Sequence, residues 1–442
     1  MRCQLPQRSI GDQRGEALMS KYVIIGASAT GIGAVEAIRE VDSSGTIVII
    51  SEEQYPHYSR PMISDFVSGK ANIEKIKFRK DDFWETNGAH ILKGRTAIAL
   101  NLDDKSVTLD KGDRVSFEKL LIATGGKPFV PKIEGADKAG VFTFTSISDA
   151  EKVAKKLETA KAAVVIGAGL IGISLTEALV KQGVKVTVVE LQDKILSLLL
   201  DPKGSDILES IIKRSGVTII TSQSVQRIVG KPEDDKTVGG VMLTKGDQIP
   251  CDLVIFAIGV TPRTEIVSRT DVKTNRGIVV DNLMQTNVPD VYAGGDVAET
   301  YDFILNQNRQ VPLWPLAVLE GRTAGFNMAG RKTSYMGGTS MSALKYFDIP
   351  VISCGITNPK ESGNFEILTL EDPARSIYKK LVLKDNTIVG ILLLNDIERA
   401  GIFFQLMKKR ENVKKIKHML LQEDFGLATL PLSLRKKVFA GE

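Results

Sequence analysis

A chain of 442 residues is too long for one ordinary hydrophobic core, so two or three domains are expected. Its 58 basic and 53 acidic side chains nearly balance, and the excess of +5, without a basic stripe interleaved with aromatics, offers nucleic acid no footprint. Three cysteines, Cys3, Cys251 and Cys354, lie far apart, which excludes a disulfide framework and any Cys-x-x-Cys redox or metal motif and makes a reduced cytoplasm the simplest location.

No apolar run approaches the roughly 18 residues of a membrane span; Ile195 to Leu200 is only a short patch. Residues 1–18 are polar, rich in Arg and Gln, and lack the apolar core of a secretory peptide. They read as a loose tail or as an extension ahead of a working start at Met19.

The first informative stretch is Tyr22 to Gly33. A β-branched run, Val23 to Ile25, meets a glycine turn and then a helical segment, Ala34 to Arg39. Such a strand–turn–helix seats a dinucleotide pyrophosphate on a helix N-terminus, where unpaired N–H groups and about half a positive charge converge. Gly26 makes the turn, Gly31 lets helix and strand close, and Ser28 with Ala29 and Thr30 stands where backbone must approach phosphate. The strand Thr46 to Ile50 then delivers an acidic residue for a ribose, Glu52 or its neighbour Glu53.

Pro56 and Pro61 bracket a loop, Gln54 to Asp65, the kind of segment that carries reactive groups. Arg60 is a candidate partner for a pyrophosphate or a flavin ring; its alternative is a surface arginine. Ile73 to Asn87 mixes charge with Phe78, Phe83 and Trp84 and is expected to cover this loop. His90 to Leu100 and Ser106 to Leu109 read as antiparallel strands with turns. Phe117 to Ala123 is a buried strand ending in Ala123-Thr124-Gly125-Gly126.

After the amphipathic helix Ser146 to Thr159 the pattern repeats. Ala163 to Gly172 is a complete Gly-x-Gly-x-x-Gly behind a strand, and Val186 to Val189 delivers Glu190. A helix at Ile171 to Lys181, a strand at Val184 to Val189, a helix at Gly204 to Ser215 and a strand at Thr218 to Thr221 follow. A β-meander turns at Lys231 to Lys236, and Cys251 to Pro262 repeats the strand-then-glycine pattern at Gly259. One nucleotide-binding unit has been used twice. Two dinucleotide sites in one chain imply that two dinucleotides meet, most economically a flavin and a nicotinamide exchanging a hydride.

Asn287 to Ala298 is a strand into Gly294-Gly295 with Asp296 expected at the entrance to a helix. A carboxylate there suits a ribityl chain better than a phosphate, which it would repel; a plain helix N-cap is the alternative. A helix is expected at Ala317 to Ala329. Beyond Arg331 come β-rich segments, Leu344 to Phe347, Val351 to Cys354, Phe365 to Leu368, Ala374 to Leu383 and Thr387 to Leu394, with an Asp385-Asn386 turn. Helices are expected from Asp396 and from Asn412.

Together these residues resemble the FAD-dependent pyridine nucleotide oxidoreductases, from Lys21 to about Leu394. Tyr58 to Ser64 resembles the branch of rubredoxin reductases, NADH:acceptor reductases and the N-terminal part of assimilatory nitrite reductases. The C-terminal pattern is similar to flavoprotein subunits that join NADH to iron–sulfur oxidoreductase complexes. The resemblance implies an α/β chain with two Rossmann-like, glutathione-reductase-like dinucleotide-binding domains and a C-terminal α+β domain. Residues 19–145 and 265–330 would form a discontinuous FAD domain, 146–264 the NAD(H) domain, and 331–442 a domain serving as a homodimer interface or partner platform.

By the same resemblance FAD would lie along Gly26, Ser28, Ala29, Thr30, Gly31, Glu52 or Glu53, Arg60, Pro61, Ala97, Ala123, Thr124, Gly125, Gly295 and Asp296. NADH would use Gly167, Gly169, Leu170, Ile171, Gly172, Glu190 and Gly259. The carboxylate of Glu190 suits a free ribose 2′-hydroxyl and would repel a 2′-phosphate, so NADH is preferred to NADPH. The redox cysteines of the family's disulfide reductases and peroxidases are missing, with Ser59 to Ser64 in their place. A Lys–Glu pair that relatives hold beside flavin N5 reads Asp65 and Ser174 here. Losing one member would strand a buried charge at a cost of roughly 3–5 kcal/mol, and losing both avoids it.

The expected activity is hydride transfer between NADH and FAD, with electrons exchanged with a carrier protein (rubredoxin, ferredoxin or an iron–sulfur subunit). The alternatives are a peroxide-forming NADH oxidase and a flavin-bearing subunit without turnover. The amphipathic, basic Gly401 to Arg410 is either a surface anchor for a quinone-reducing variant or a helix packed on its own domain. The basic cluster Lys408 to Lys417 with Arg435 to Lys437 is a docking candidate for an acidic carrier.

Overall fold

The computed structural model describes residues 18–55, 57–359 and 363–439. Residues 1–17, with Cys3, and Pro56 of the expected loop therefore lie outside the described residues. Leu18 belongs to the first strand, Leu18–Ile25, and pairs with Val115.

That strand is central in a parallel array. It lies between Ile47–Ser51 and Arg114–Ile122, with Ala89–Lys93 beyond the former and Val291–Ala293 beside the latter. Every residue of Ile47–Ser51 is buried, because helices and loops cover both faces of a parallel sheet and its strands read as unbroken apolar runs. One expectation fails here: the segment from His90 is not wholly antiparallel. Gly94, with φ +64°, and the Arg95 N–H bonded to the Ser51 carbonyl at 2.9 Å break it in two. Ala89–Lys93 extends the parallel sheet, and only Ala97–Asn101 turns back antiparallel on Ser106–Leu109.

The second unit repeats the first. Ala162–Ile166 lies between Lys185–Val189 and Leu253–Phe256, all parallel, with Thr218–Ile220 and Val141–Thr143 at the edges. The meander Val225–Lys231, Asp234–Leu243 and Gln248–Pro250 is a separate antiparallel sheet. The helix ahead of Ala162–Ile166, Ile147–Leu157, starts at a capping box in which Ser146 and Asp149 satisfy each other's backbone N–H groups. The chain crosses between the two units twice, and the crossings Gly126–Pro128 and Val260–Pro262 pair with each other as a two-stranded ladder.

The third unit is a five-stranded antiparallel sheet in the order Met341–Tyr346, Ile349–Gly355, Thr387–Leu394, Ile377–Lys384, Glu366–Asp372. The Asp385-Asn386 turn has φ +51° and +60°, the left-handed pair that a two-residue hairpin requires. Helix Ala400–Lys408 buries Phe403, Leu406 and Met407 against this sheet, so the amphipathic segment covers its own core. No α-helix begins at Asn412. Its Oδ1 accepts the Lys414 N–H at 3.0 Å and its backbone bridges Thr387, a local bond that competes with helix. A single 3-10 turn, Lys417–Met419, follows, and the last helix is Leu432–Phe439.

The third sheet is tied to the second unit by a buried polar knot. Asp201 caps helix Pro202–Arg214 by accepting the Gly204 N–H at 2.9 Å. Its other oxygen accepts from Tyr378 and Lys380, both at 2.7 Å. Asp201 is 4 % exposed and Lys380 6 %. Asp201→Ala would remove the cap and leave the Lys380 ammonium buried without its partner. It should lower stability by roughly 3–5 kcal/mol in a denaturant titration, whereas an exposed pair such as Lys345–Asp348 should cost under about 1 kcal/mol.

Candidate functional site

The first glycine turn is built by close approach. Gly26 has φ +118°, its N–H donates to the Ile50 carbonyl at 2.9 Å, and any Cβ on it would strike the Ala123 carbonyl. A Cβ on Gly31 would strike the Gly26 carbonyl. The helix runs Ala29–Val41, five residues earlier than its apolar pattern indicates, with Ser28 as N-cap. Thr30 packs against Gly295, since a Cβ at Gly295 would meet the Thr30 hydroxyl. Gly26, Ser28, Ala29, Thr30, Gly31, Ala123 and Gly295, scattered in sequence, thus form one cradle.

Arg60 closes it from the loop. Its Nε donates to Ser28 Oγ at 3.4 Å, its Nη1 to the Thr145 carbonyl at 2.8 Å, and its Nη2 to the Glu53 carboxylate. Glu53 also accepts the Tyr58 hydroxyl at 2.6 Å, and the Ile147 N–H donates to that hydroxyl at 3.0 Å. Glu53 is thereby consumed in holding the loop. Glu52 is the exposed one, at the end of the second strand, meeting only Arg263 from the crossing ladder. The structure so separates two residues that the sequence leaves equivalent. Segment Ile73 to Asn87 does cover the loop, through Ser59 N–H to the Ile76 carbonyl and Phe78 N–H to the His57 carbonyl, both at 2.7 Å. Pro61 lies exposed in the 3-10 turn Arg60–Met62. Ala97 is half-buried at the start of its strand, two residues beyond the Arg95 contact to Ser51.

Asp296 is not at the entrance to an α-helix. Gly295–Val297 is one 3-10 turn, and strand Ala298–Asp302 follows directly. Gly295 has φ +76°, and Gly294 rather than Asp296 stands at the N-cap of that turn. The N-cap alternative is therefore excluded. Burial pushes this carboxyl above its usual range, and the nearby Arg60 guanidinium pulls it back. Beside it, Thr124 donates to the Arg263 carbonyl at 2.8 Å, and Gly125, at φ +69°, faces open space.

The second cradle has the same plan. Gly167, at φ +104°, would strike Ala257 with any Cβ, and Gly172 would strike the Gly167 carbonyl. Gly169 caps helix Leu170–Lys181 and faces open space, as does Gly259; Ile171 is exposed at the same helix start. The Glu190 carboxylate folds back on the turn, accepting the Ala168 N–H at 2.7 Å and the Gln192 N–H at 2.8 Å, which leaves lone pairs for hydroxyl donors.

Asp65 and Ser174 stand on two helices that pack together, Ile63–Val67 and Leu170–Lys181. Asp65 pairs outward with Lys70 at 3.1 Å. Ser174 is half-buried next to the Tyr346 hydroxyl, which is buried without a hydrogen-bond partner among the described residues. No uncompensated charge is left between the helices. Cys251 and Cys354 are buried away from both cradles, and burial pushes each thiol up to about 12. Among the described residues no cluster of metal-ligating side chains occurs, and no helix is long and apolar enough to cross a membrane.

Sequence reasoning missed the loop supports Tyr58 and Arg263, and it missed Glu320. Glu320 sits in helix Trp314–Met328 at 2 % exposure and bonds the Gly295 N–H at 2.7 Å. Only its place on the apolar side of that helix, between Ala317 and Ala324, could have pointed to it.

Residues 20–321 match the model of the pyridine nucleotide-disulphide oxidoreductase family, and residues 341–411 match the rubredoxin NAD+ reductase C-terminal domain. The chain is 31% identical to the NADH-dependent phenylglyoxylate dehydrogenase subunit epsilon of Aromatoleum evansii, over 90% of this chain and 94% of that one. It is 30% identical to the nitrite reductase [NAD(P)H] of Bacillus subtilis over 89% of this chain, but it spans only 48% of that protein. The solved NADH:rubredoxin oxidoreductase of Clostridium acetobutylicum superposes with a TM-score of 0.74 at 28% identity, over 90% of this chain and 97% of that one. The open faces at Gly125, Gly169 and Gly259, one beside the first cradle's Thr124 and two at the second cradle, fit two dinucleotides.

The two fingerprint glycines of the second cradle should behave oppositely. Gly172→Ala forces backbone apart and should lower the thermal midpoint of the protein by several degrees. Gly169→Ala meets nothing in the protein, so its thermal midpoint should stay within about a degree while its KM for NADH rises.

Proposed function

Since the chain belongs to the pyridine nucleotide-disulphide oxidoreductase family and is an FAD-dependent NADH oxidoreductase, we propose that it passes reducing equivalents from NADH to a protein electron carrier. The observation that carries this reading is the pair of glycine cradles, joined by one crossing ladder, with the two described cysteines, Cys251 and Cys354, buried as free thiols. FAD, when bound, supplies the two-electron acceptor for hydride and the one-electron donor for a carrier.

The chain's own residues bind and orient. At the turn that Gly26 makes, Ser28, Ala29, Thr30 and Gly31 would present N–H groups to a pyrophosphate, with Arg60 held against Ser28 by Glu53 and Thr145. Glu52, Ala97, Pro61, Ala123, Thr124, Gly125, Gly295 and Asp296 would complete the hold on FAD, with Asp296 suited to its sugar chain. Gly167, Gly169, Leu170, Ile171, Gly172 and Gly259 hold the nicotinamide dinucleotide, and Glu190 reads its ribose. This chemistry needs no general base, only stacked rings held in register. The missing Lys–Glu pair leaves that register to backbone and packing.

The domain assignment follows from the same reading: 19–145 with 265–330 for FAD, 146–264 for NADH, and 331–442 as a platform for a second copy or a redox subunit. The buried, unreactive thiols agree with a cytoplasmic location. Rubredoxin, ferredoxin and an iron–sulfur subunit are the carrier classes to try.

Anaerobic stopped-flow mixing should show NADH bleaching the flavin absorbance rapidly and NADPH at least about tenfold more slowly, because Glu190 disfavours a 2′-phosphate. Absence of bleaching by both nucleotides, with FAD bound, would sink the reductase reading in favour of a subunit without turnover. Lys414 and Lys415 are exposed. Their joint reversal to glutamate should slow reoxidation by an acidic carrier severalfold at low salt and leave the bleaching rate unchanged; an unaltered carrier rate would remove this docking face.

A further inference from the structure

Glu320 is a fully enclosed acid with no cation to balance it. Its Oε2 accepts the Gly295 N–H at 2.7 Å and its Oε1 lies 2.9 Å from the Thr300 hydroxyl. No Lys, Arg or His nitrogen among the described residues lies within ion-pair distance of it. The charged group nearest in chemistry is another acid, Asp296, on the very turn that Glu320 holds.

The surroundings on every side agree. From the sheet side come Thr300 and, two residues on, Asp302, which is already paired with Arg309 at 2.7 Å. The Tyr335 phenol, buried and without a hydrogen-bond partner of ordinary geometry, is close to the carboxyl. Helix Ala29–Val41 packs along Trp314–Met328, but its acids Glu36 and Glu40 face Arg322 on the outer surface. Arg60 faces Asp296 rather than Glu320. A carboxylate in this place would add a second negative charge beside Asp296, whose own charge Arg60 offsets, whereas a neutral acid still accepts from the Gly295 N–H and the Thr300 hydroxyl without adding one.

We infer that Glu320 is the positioning residue of the Gly294-Gly295-Asp296 turn, acting as a neutral acid whose ionisation releases the turn and weakens the hold on FAD. The inference rests on the reading that FAD lies along that turn. Burial, reinforced by Asp296, raises this carboxyl to about 8, against some relief from its hydrogen bonds. The folded pKa lies above the unfolded one, so the contribution to stability is full below the ordinary carboxylate value of 4.5 and is lost as pH rises through about 8.

The test measures FAD affinity of the full chain by flavin fluorescence at pH 7 and pH 9. If only the neutral form is competent, the wild-type Kd should rise roughly tenfold across that interval. Glu320→Gln, which keeps an acceptor for Gly295 and cannot ionise, should change less than about twofold. A variant that tracks the wild type, or a wild type with equal affinity at both pH values, overturns the inference while leaving the flavin reading intact. A wild type that holds no FAD at either pH sinks that reading and the inference with it. Should Glu320→Gln fail to fold, infrared spectra of the wild type decide instead. A protonated-carboxyl band present at pH 7 and gone at pH 9 supports a neutral Glu320, and its absence at pH 7 overturns it.

Discussion

The approach of Gly26 to the Ala123 carbonyl is the constraint on which the rest of the first cradle depends. A backbone carbonyl packed where a Cβ would sit fixes the end of one strand against the start of another, leaving no slack. From that point the helix Ala29–Val41 can only leave in one direction, and Thr30 must come to rest under Gly295. Helix Trp314–Met328 follows, because Gly321 lies against the Thr30 carbonyl as closely as Gly26 does against Ala123. Close backbone contact propagates position more faithfully than side-chain packing, since no rotamer can absorb an error. The same device at Gly167, Gly172 and Ala257 builds the second cradle, which is why an internal repeat in sequence becomes a repeat in geometry.

The two cradles were legible because their signals are local: a β-branched run, glycines at fixed offsets, and an acidic residue at the end of the next strand. The parallel sheets followed from unbroken apolar runs such as Ile47–Ser51. What the sequence could not show depends on contacts between distant segments. Glu52 and Glu53 are adjacent and chemically alike, and only Tyr58, Arg60 and Arg263 tell them apart. The helix expected at Asp296 is a single turn because Gly295 takes a left-handed conformation, which a Gly-Gly-Asp string permits without requiring. The segment from Asn412 had helical composition but lost to a side-chain bond and a bridge to Thr387.

Comparison of the polar groups explains a division of labour between the units. The knot of Asp201, Tyr378 and Lys380 is charged and paired, and it fixes the third sheet on the second unit. The Arg60–Glu53 pair is partly exposed and serves the loop. At the Gly295 turn the arrangement differs, since Asp296 and Glu320 are two acids and the one cation acting on them, Arg60, acts on Asp296. Two like charges in one low-dielectric place cannot both be kept, so one acid must stay neutral or the turn must open.

That imbalance bears on the missing Lys–Glu pair. At the two positions where the family resemblance implies a Lys–Glu pair, this chain has Asp65 turned outward to Lys70 and a neutral Ser174 beside the Tyr346 hydroxyl. No buried charge pair therefore stands at these two positions. Position at the first cradle is set instead by the glycine turns and by Arg60, which the Glu53 carboxylate and the Thr145 carbonyl hold. The tuning of the site then rests on the turns themselves, which makes the groups that hold the turns, Glu53 for Arg60 and Glu320 for Gly295, part of how the chain sets its chemistry rather than background to it.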